Sequence, residues 1–202
     1  MLIDEKIKMQ LNFLDIITVF MVLFAVIDIT GSIPIIIDLK KKTGNISPVR
    51  TTLVAYFLML LFLFLGEPLL NLFGVDISSF AIAGAFILFF IAWELILGIE
   101  IFHYEKTKGS AIVPVAFPLI AGAGSMTTLI SLKSQYNIWD ILIALSLNMV
   151  FVYLVLRATS FFERILGEAG IQILKKAFGI ILLAIAIRLF LSNTGIKLPG
   201  SV

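Results

Sequence analysis

Two nine-residue stretches hold most of the chemistry this chain can offer. They are Gly31-Ser32-Ile33-Pro34-Ile35-Ile36-Ile37-Asp38-Leu39 and Gly124-Ser125-Met126-Thr127-Thr128-Leu129-Ile130-Ser131-Leu132. They align without a gap at an offset of 93 residues, close to half the 202-residue chain. Each Gly-Ser pair interrupts a run that is otherwise apolar. A helix beginning after such a break presents unpaired backbone N–H groups with partial positive charge, which suits a carboxylate or another anion. Ser32 and Ser125 have the chemistry of N-caps, and Pro34 falls in a first turn, where a missing N–H costs little. Gly122 and Gly124 lie in the small-residue run 121–124, where a ligand or a facing backbone can come close. Thr127 and Thr128 place two more hydroxyls beside it. Helix packing alone could also select such small residues, but paired interruptions at matching places in two halves point to a transporter's binding site.

Asp28 precedes the first break, deep in an apolar run. An intramembrane carboxylate is costly and usually functional. It reads either as a proton- or cation-coupling group or as a carboxylate capping a broken helix. Asn148, in mid-span, reads as an interhelical hydrogen-bonding group or as part of a substrate cavity. Glu94 and Arg188 also lie in apolar spans, and both read as side chains that snorkel to an interface. His103 stands beside Tyr104 at a loop edge. With one His and no Cys, thiol catalysis is excluded, and neither a metal site nor another cofactor is expected. Ser125 has no intramembrane His as base, so an intramembrane hydrolase is a poor reading and no enzyme is expected.

The elements that must position these residues are membrane spans. The chain is 60% hydrophobic and 14% charged, with mean hydropathy +1.12. Soluble domains run near 45–50% apolar and about 25% charged. The lipid bilayer is therefore the expected surroundings, and no nucleic-acid partner is expected, because the Lys and Arg lie between apolar spans rather than along one face. The mixed charges of residues 1–10 and the long run that follows do not form a signal peptide.

Apolar runs at about 12–38, 51–73, 79–101, 111–132, 139–160 and 171–191 predict six spans. The first and fourth are each read as two half-helices. Lys40-Lys41-Lys42-Thr43-Gly44-Asn45, Gly66-Glu67-Pro68 with Gly74-Val75-Asp76, Lys106-Thr107-Lys108-Gly109, Gln135-Tyr136-Asn137 and Gly167-Glu168-Ala169-Gly170 read as connections. Ten basic residues fall on the side of the first, third and fifth loops (Lys40, Lys41, Lys42, Arg50, Lys106, Lys108, Arg157, Arg164, Lys175, Lys176). Four fall on the other (Lys6, Lys8, Lys133, Lys197). Positive loops stay in the cytoplasm, so both termini are expected outside. The 93-residue match, with Ala85-Phe86 against Ala177-Phe178 at an offset of 92, divides one transmembrane domain, 1–202, into repeats at about 12–101 and 111–191. Three spans per repeat require opposite topology, hence an inverted repeat. The expected fold is all-α and polytopic.

At these residues the chain resembles the MarC family of bacterial and archaeal integral membrane proteins. The family's first-span signature, roughly Asp-Pro-x-Gly-Asn-x-Pro, stands here as Asp28-Ile29-Thr30-Gly31-Ser32-Ile33-Pro34. Its fourth-span signature stands as Pro114-Val115-Ala116-Phe117-Pro118-Leu119-Ile120-Ala121-Gly122-Ala123-Gly124-Ser125-Met126-Thr127-Thr128, and the third-span motif as Ala81-Ile82-Ala83-Gly84-Ala85-Phe86-Ile87-Leu88-Phe89. Ile29 replaces the usual Pro, Ser32 the usual Asn, and Ala123 the Pro between the glycines. The resemblance implies kinship with the three-span repeat design of LysE-type exporters. Since some members are described as carriers of small neutral amino acids, it also implies a small-metabolite transporter in a prokaryotic inner membrane; proton or sodium coupling is read separately, from the intramembrane carboxylate of Asp28. Other readings are a non-transporting scaffold or assembly protein and a passive channel. Substrate flux separates the first from a transporter, and single-channel conductance the second.

Overall fold

Seven α-helices and one π-helical turn make up the computed structural model, which describes residues 11–43, 46–99, 101 and 112–196. Lys6, Lys8, Gly44, Asn45, His103, Tyr104, the 106–109 connection and Lys197 lie outside the described residues.

Local chemistry fixes where the helices begin and end. Helix α1, Phe13–Ile27, starts where the Asn12 side chain accepts the Leu14 N–H at 3.1 Å. It stops at Asp28, which takes a left-handed conformation with φ 41°, one that Asp tolerates better than most residues. After a four-residue loop comes α2, Ile33–Thr43. Helices α3, Pro48–Leu72, and α4, Ile77–Leu97, begin at Pro48 and at the Asp76 cap; the Asp76 carboxylate accepts the Ser79 N–H at 2.5 Å. A short α5, Ile112–Pro114, leads into the π-helical turn Val115–Ile120. Helix α6 spans Ala123–Lys133, and α7 spans Ile138–Thr194.

Three of these helices, α3, α4 and α7, are long and apolar enough to cross a membrane. At about 1.5 Å per residue, α1 and α2 are each shorter than a hydrocarbon core of about 30 Å. The first span is thus interrupted at 28–32. The turn after α3 lies at Phe73–Gly74; Gly66, Glu67 and Pro68 belong to the helix instead. The N–H that Pro68 lacks leaves a carbonyl open, which membrane helices tolerate.

The 57 residues of α7 would extend about 85 Å if straight. Gly167, at φ 60° and ψ −179°, breaks it. Residues 138–166 run parallel to α1: Asn12 donates its N–H to Asp140 at 3.3 Å, Asn148 reaches Phe20, and Phe24 meets Phe151 edge-on at 5.1 Å. Residues 168–194 run antiparallel to α4: Gly179 faces Leu95 and Ala92, while Phe190 packs on Phe86. The chain therefore reverses at the single residue Gly167, where the sequence reads a four-residue connection. Helix re-forms at once, favoured by Glu168 and Ala169.

The core gathers Val19 and Leu23 of α1, Met59 and Leu63 of α3, Leu129 of α6, and Ile141 and Leu145 of α7. Large apolar side chains also cover the outside, including Phe13, Phe57, Leu65, Leu154 and Phe161. Water would penalise that much exposed apolar surface, whereas lipid does not.

Candidate functional site

The first interruption is closed by Asp28. Its Oδ1 accepts the Gly31 N–H at 3.1 Å and, more weakly, the Thr30 hydroxyl at 3.5 Å. Its carbonyl accepts the Ser32 N–H at 3.1 Å and the Ser32 hydroxyl at 3.0 Å. A Cβ on Gly31 would collide with the Asp28 carboxylate, so glycine is what lets that carboxylate fold back. Ser32 precedes α2, but its hydroxyl donates backward rather than capping the helix. The N–H groups of Gly31, Ser32 and Ile33 all have partners within the loop.

The second interruption lies earlier than the sequence places it. Phe117 is extended, at φ −140° and ψ 129°, and a cis bond joins it to Pro118. Proline lacks the N–H for a helical ladder and pushes the residue before it out of the helical region. The chain re-enters helix at Gly122, the N-cap of α6. A Cβ there would strike the Pro118 carbonyl oxygen. Ser125, expected as the cap, sits in the first turn instead and donates to the Ile120 and Gly122 carbonyls, both at 3.0 Å. It ties the break together from inside. Gly84 of α4 allows Ala123 to pack directly against it, since a Cβ at 84 would overlap that of Ala123.

Both interruptions open onto one cavity of about 330 Å³, at the small end of ligand sites. From the first come Asp28 and Ser32; from the second, Gly122, Gly124, Ser125, Thr127 and Thr128. Gly31 lies in the loop behind Asp28. Asn148 lies elsewhere: its amide donates to the carbonyls of Phe20 at 3.2 Å and Ala144 at 3.0 Å, joining α7 to α1. Gly124 has room for a Cβ, which would meet Val26 Cγ1 at an ordinary contact distance of 3.8 Å. The opposite wall comes from residues 182–192 of α7, and it brings Arg188 and Ser192 to the cavity. Arg188 is exposed there; that it also borders the cavity could not be read from the sequence, because nothing in the sequence registers α7 against α1.

Glu94 does not snorkel. It is 5% exposed and accepts the Lys42 ammonium at 2.7 Å. Lys42 also pairs with Asp38 at 3.2 Å, and Asp38 with Lys175 at 2.7 Å. Two carboxylates and two ammonium groups thus join α2, α4 and α7. Lys40 adds a link to Glu163 at 3.2 Å. The sequence offered one signal for this network: Asp38 and Lys42 stand four apart on one helix. Leu119 separates it from the cavity, lining both the cavity and the small space beside Asp38 and Glu94. Among the described residues, no group of His, Asp and Glu is arranged to hold a metal ion.

Comparison with known proteins identifies the family. The family described as MarC family integral membrane protein matches residues 13–198. The chain belongs to the MarC family. The UPF0056 inner membrane protein YhgN of Escherichia coli K12 is 31% identical over 202 residues, covering 92% of this chain and 99% of that relative. A UPF0056 membrane protein of Buchnera aphidicola subsp. Acyrthosiphon pisum is 31% identical over 200 residues, covering 90% and 92%. One from Aquifex aeolicus is 29% identical, covering 84% and 87%. No solved structure matches the chain. As a member of this family, the chain is an integral membrane protein.

Proposed function

We propose that this protein is a secondary transporter of small metabolites, with neutral amino acids as its substrate class. The observation that carries the reading is the convergence of two interrupted spans on one small cavity lined by an acid, hydroxyls and glycines. Helix ends and irregular backbone inside a membrane are tolerated where they line such a cavity. The ion-paired network beyond Leu119 favours a carrier closed at one end over a passive channel. Asp28 is the coupling group for protons or sodium. Three spans per repeat, with opposite topology, supply the two bodies that rock about the site. No chemistry on the substrate is part of this reading. The membrane is the cytoplasmic one, as the name of the Escherichia coli relative suggests, with both termini outside.

Uptake of labelled L-alanine and L-serine by proteoliposomes tests the proposal. Uptake above that of protein-free liposomes, saturating with concentration, is expected. A rate equal to the protein-free control for every small neutral amino acid would overturn it.

A further inference from the structure

Five hydroxyls line the cavity, and each already spends its proton on a backbone carbonyl. Ser32 donates to Asp28, Ser125 to Ile120 and Gly122, Thr127 and Thr128 to Gly124 at 3.1 and 2.7 Å, and Ser192 to Leu189 at 3.1 Å. A hydroxyl has a single proton to give. Toward a ligand these groups therefore present lone pairs, as does the Asp28 carboxylate. Such a wall suits an ammonium group and disfavours an anion.

Arg188 is the exception. Its guanidinium carries five N–H donors in a planar fork. It lies on the cavity wall beside Ile185 and Leu189. Among the described residues it forms no ion pair and no hydrogen bond. Its side chain is exposed where it lines the cavity, which leaves the planar fork open to a carboxylate in bidentate fashion.

We propose that Arg188 recognises the substrate's carboxylate, while Asp28 and the hydroxyl oxygens receive its ammonium group. The cavity then selects zwitterionic α-amino acids over amides, amines and simple carboxylic acids. This deepens the transport reading and rests on it.

Thermal unfolding of the purified protein with L-alanine, L-alaninamide or propionate tests the assignment, since a ligand that binds the folded state raises its stability. Stabilisation by alanine alone is expected. Arg188→Gln should weaken alanine binding about tenfold or more, the usual loss when a charged hydrogen-bond partner is removed. Arg188→Lys should weaken it less. Equal binding of alanine and alaninamide by the native protein would overturn the assignment, as would unchanged alanine binding by Arg188→Gln or no stabilisation by any of the three. If Arg188→Gln fails to fold, the native protein's ligand preference and the Arg188→Lys variant decide. Selective alanine binding without flux in proteoliposomes would uphold Arg188 and overturn transport. Flux that treats alanine and alaninamide alike would do the reverse.

Discussion

Asp28 has two jobs that one carboxylate can hold together. Its Oδ1 staples the loop through Gly31, and the same group lies on the cavity wall. Asp28→Asn keeps a carbonyl oxygen for the Gly31 N–H but removes the titratable charge. Uptake driven by a proton or sodium gradient should fall strongly, while exchange measured at saturating substrate, which offsets the weaker ammonium contact, persists. Equal loss of both in paired uptake and exchange assays would make Asp28 purely a binding or structural residue. The glycines around it differ in kind. Gly122→Ala forces a Cβ onto the Pro118 carbonyl, a backbone atom that cannot swing away. We expect it to lower the melting temperature, whereas Gly124→Ala, whose methyl meets Val26 at an ordinary contact distance, should leave it within a degree or two of the native protein's. Matching melting temperatures for the two variants would contradict the geometry of the second interruption.

At the scale of elements, the interrupted spans were legible in the sequence because glycine and serine are scarce inside apolar runs. The residue at which each helix resumes was not. Gly124-Ser125 drew attention, but Pro118 breaks the ladder and Gly122 caps α6. The reversal at Gly167 was legible in its Gly-Glu-Ala-Gly connection, but its shrinking to a single residue was not, since Glu168 and Ala169 are good helix formers. Glu94 was misread because a charge about two turns from the end of an apolar run looks able to reach water. Its partner, Lys42, lies 52 positions away, and sequence spacing carries no information about that pairing. The network it belongs to binds α2, α4 and α7 together. Glu94→Ala leaves Lys42, which is part-buried, with one carboxylate partner fewer, and losing one partner of such a pair is destabilising. A clear drop in stability on denaturant titration is expected, with Glu94→Gln milder. No change in either variant would show that the network contributes nothing to holding the three helices.

For the whole molecule, the structure adds geometry to the charge count. Lys40, Lys42 and Lys175, all from loops read as cytoplasmic, meet their partners at one end of the bundle. Residues 168–194 run away from that end along α4, toward Ile77. If the basic end faces the cytoplasm, the C-terminus lies outside. A C-terminal reporter that is active only outside should be active, and one that works only inside should be silent. The opposite pattern would reverse the orientation.

The central claim is that substrate occupies the cavity between the two interruptions. Initial-rate uptake of labelled L-alanine by Gly124→Val, set beside Gly124→Ala, tests it most directly. The Ala variant adds one methyl at ordinary van der Waals distance from Val26, and the Val variant extends further into the cavity. The account predicts near-native uptake for Gly124→Ala and loss of most uptake for Gly124→Val, with both proteins inserted at native levels. Native uptake by Gly124→Val would place the substrate elsewhere and contradict the account.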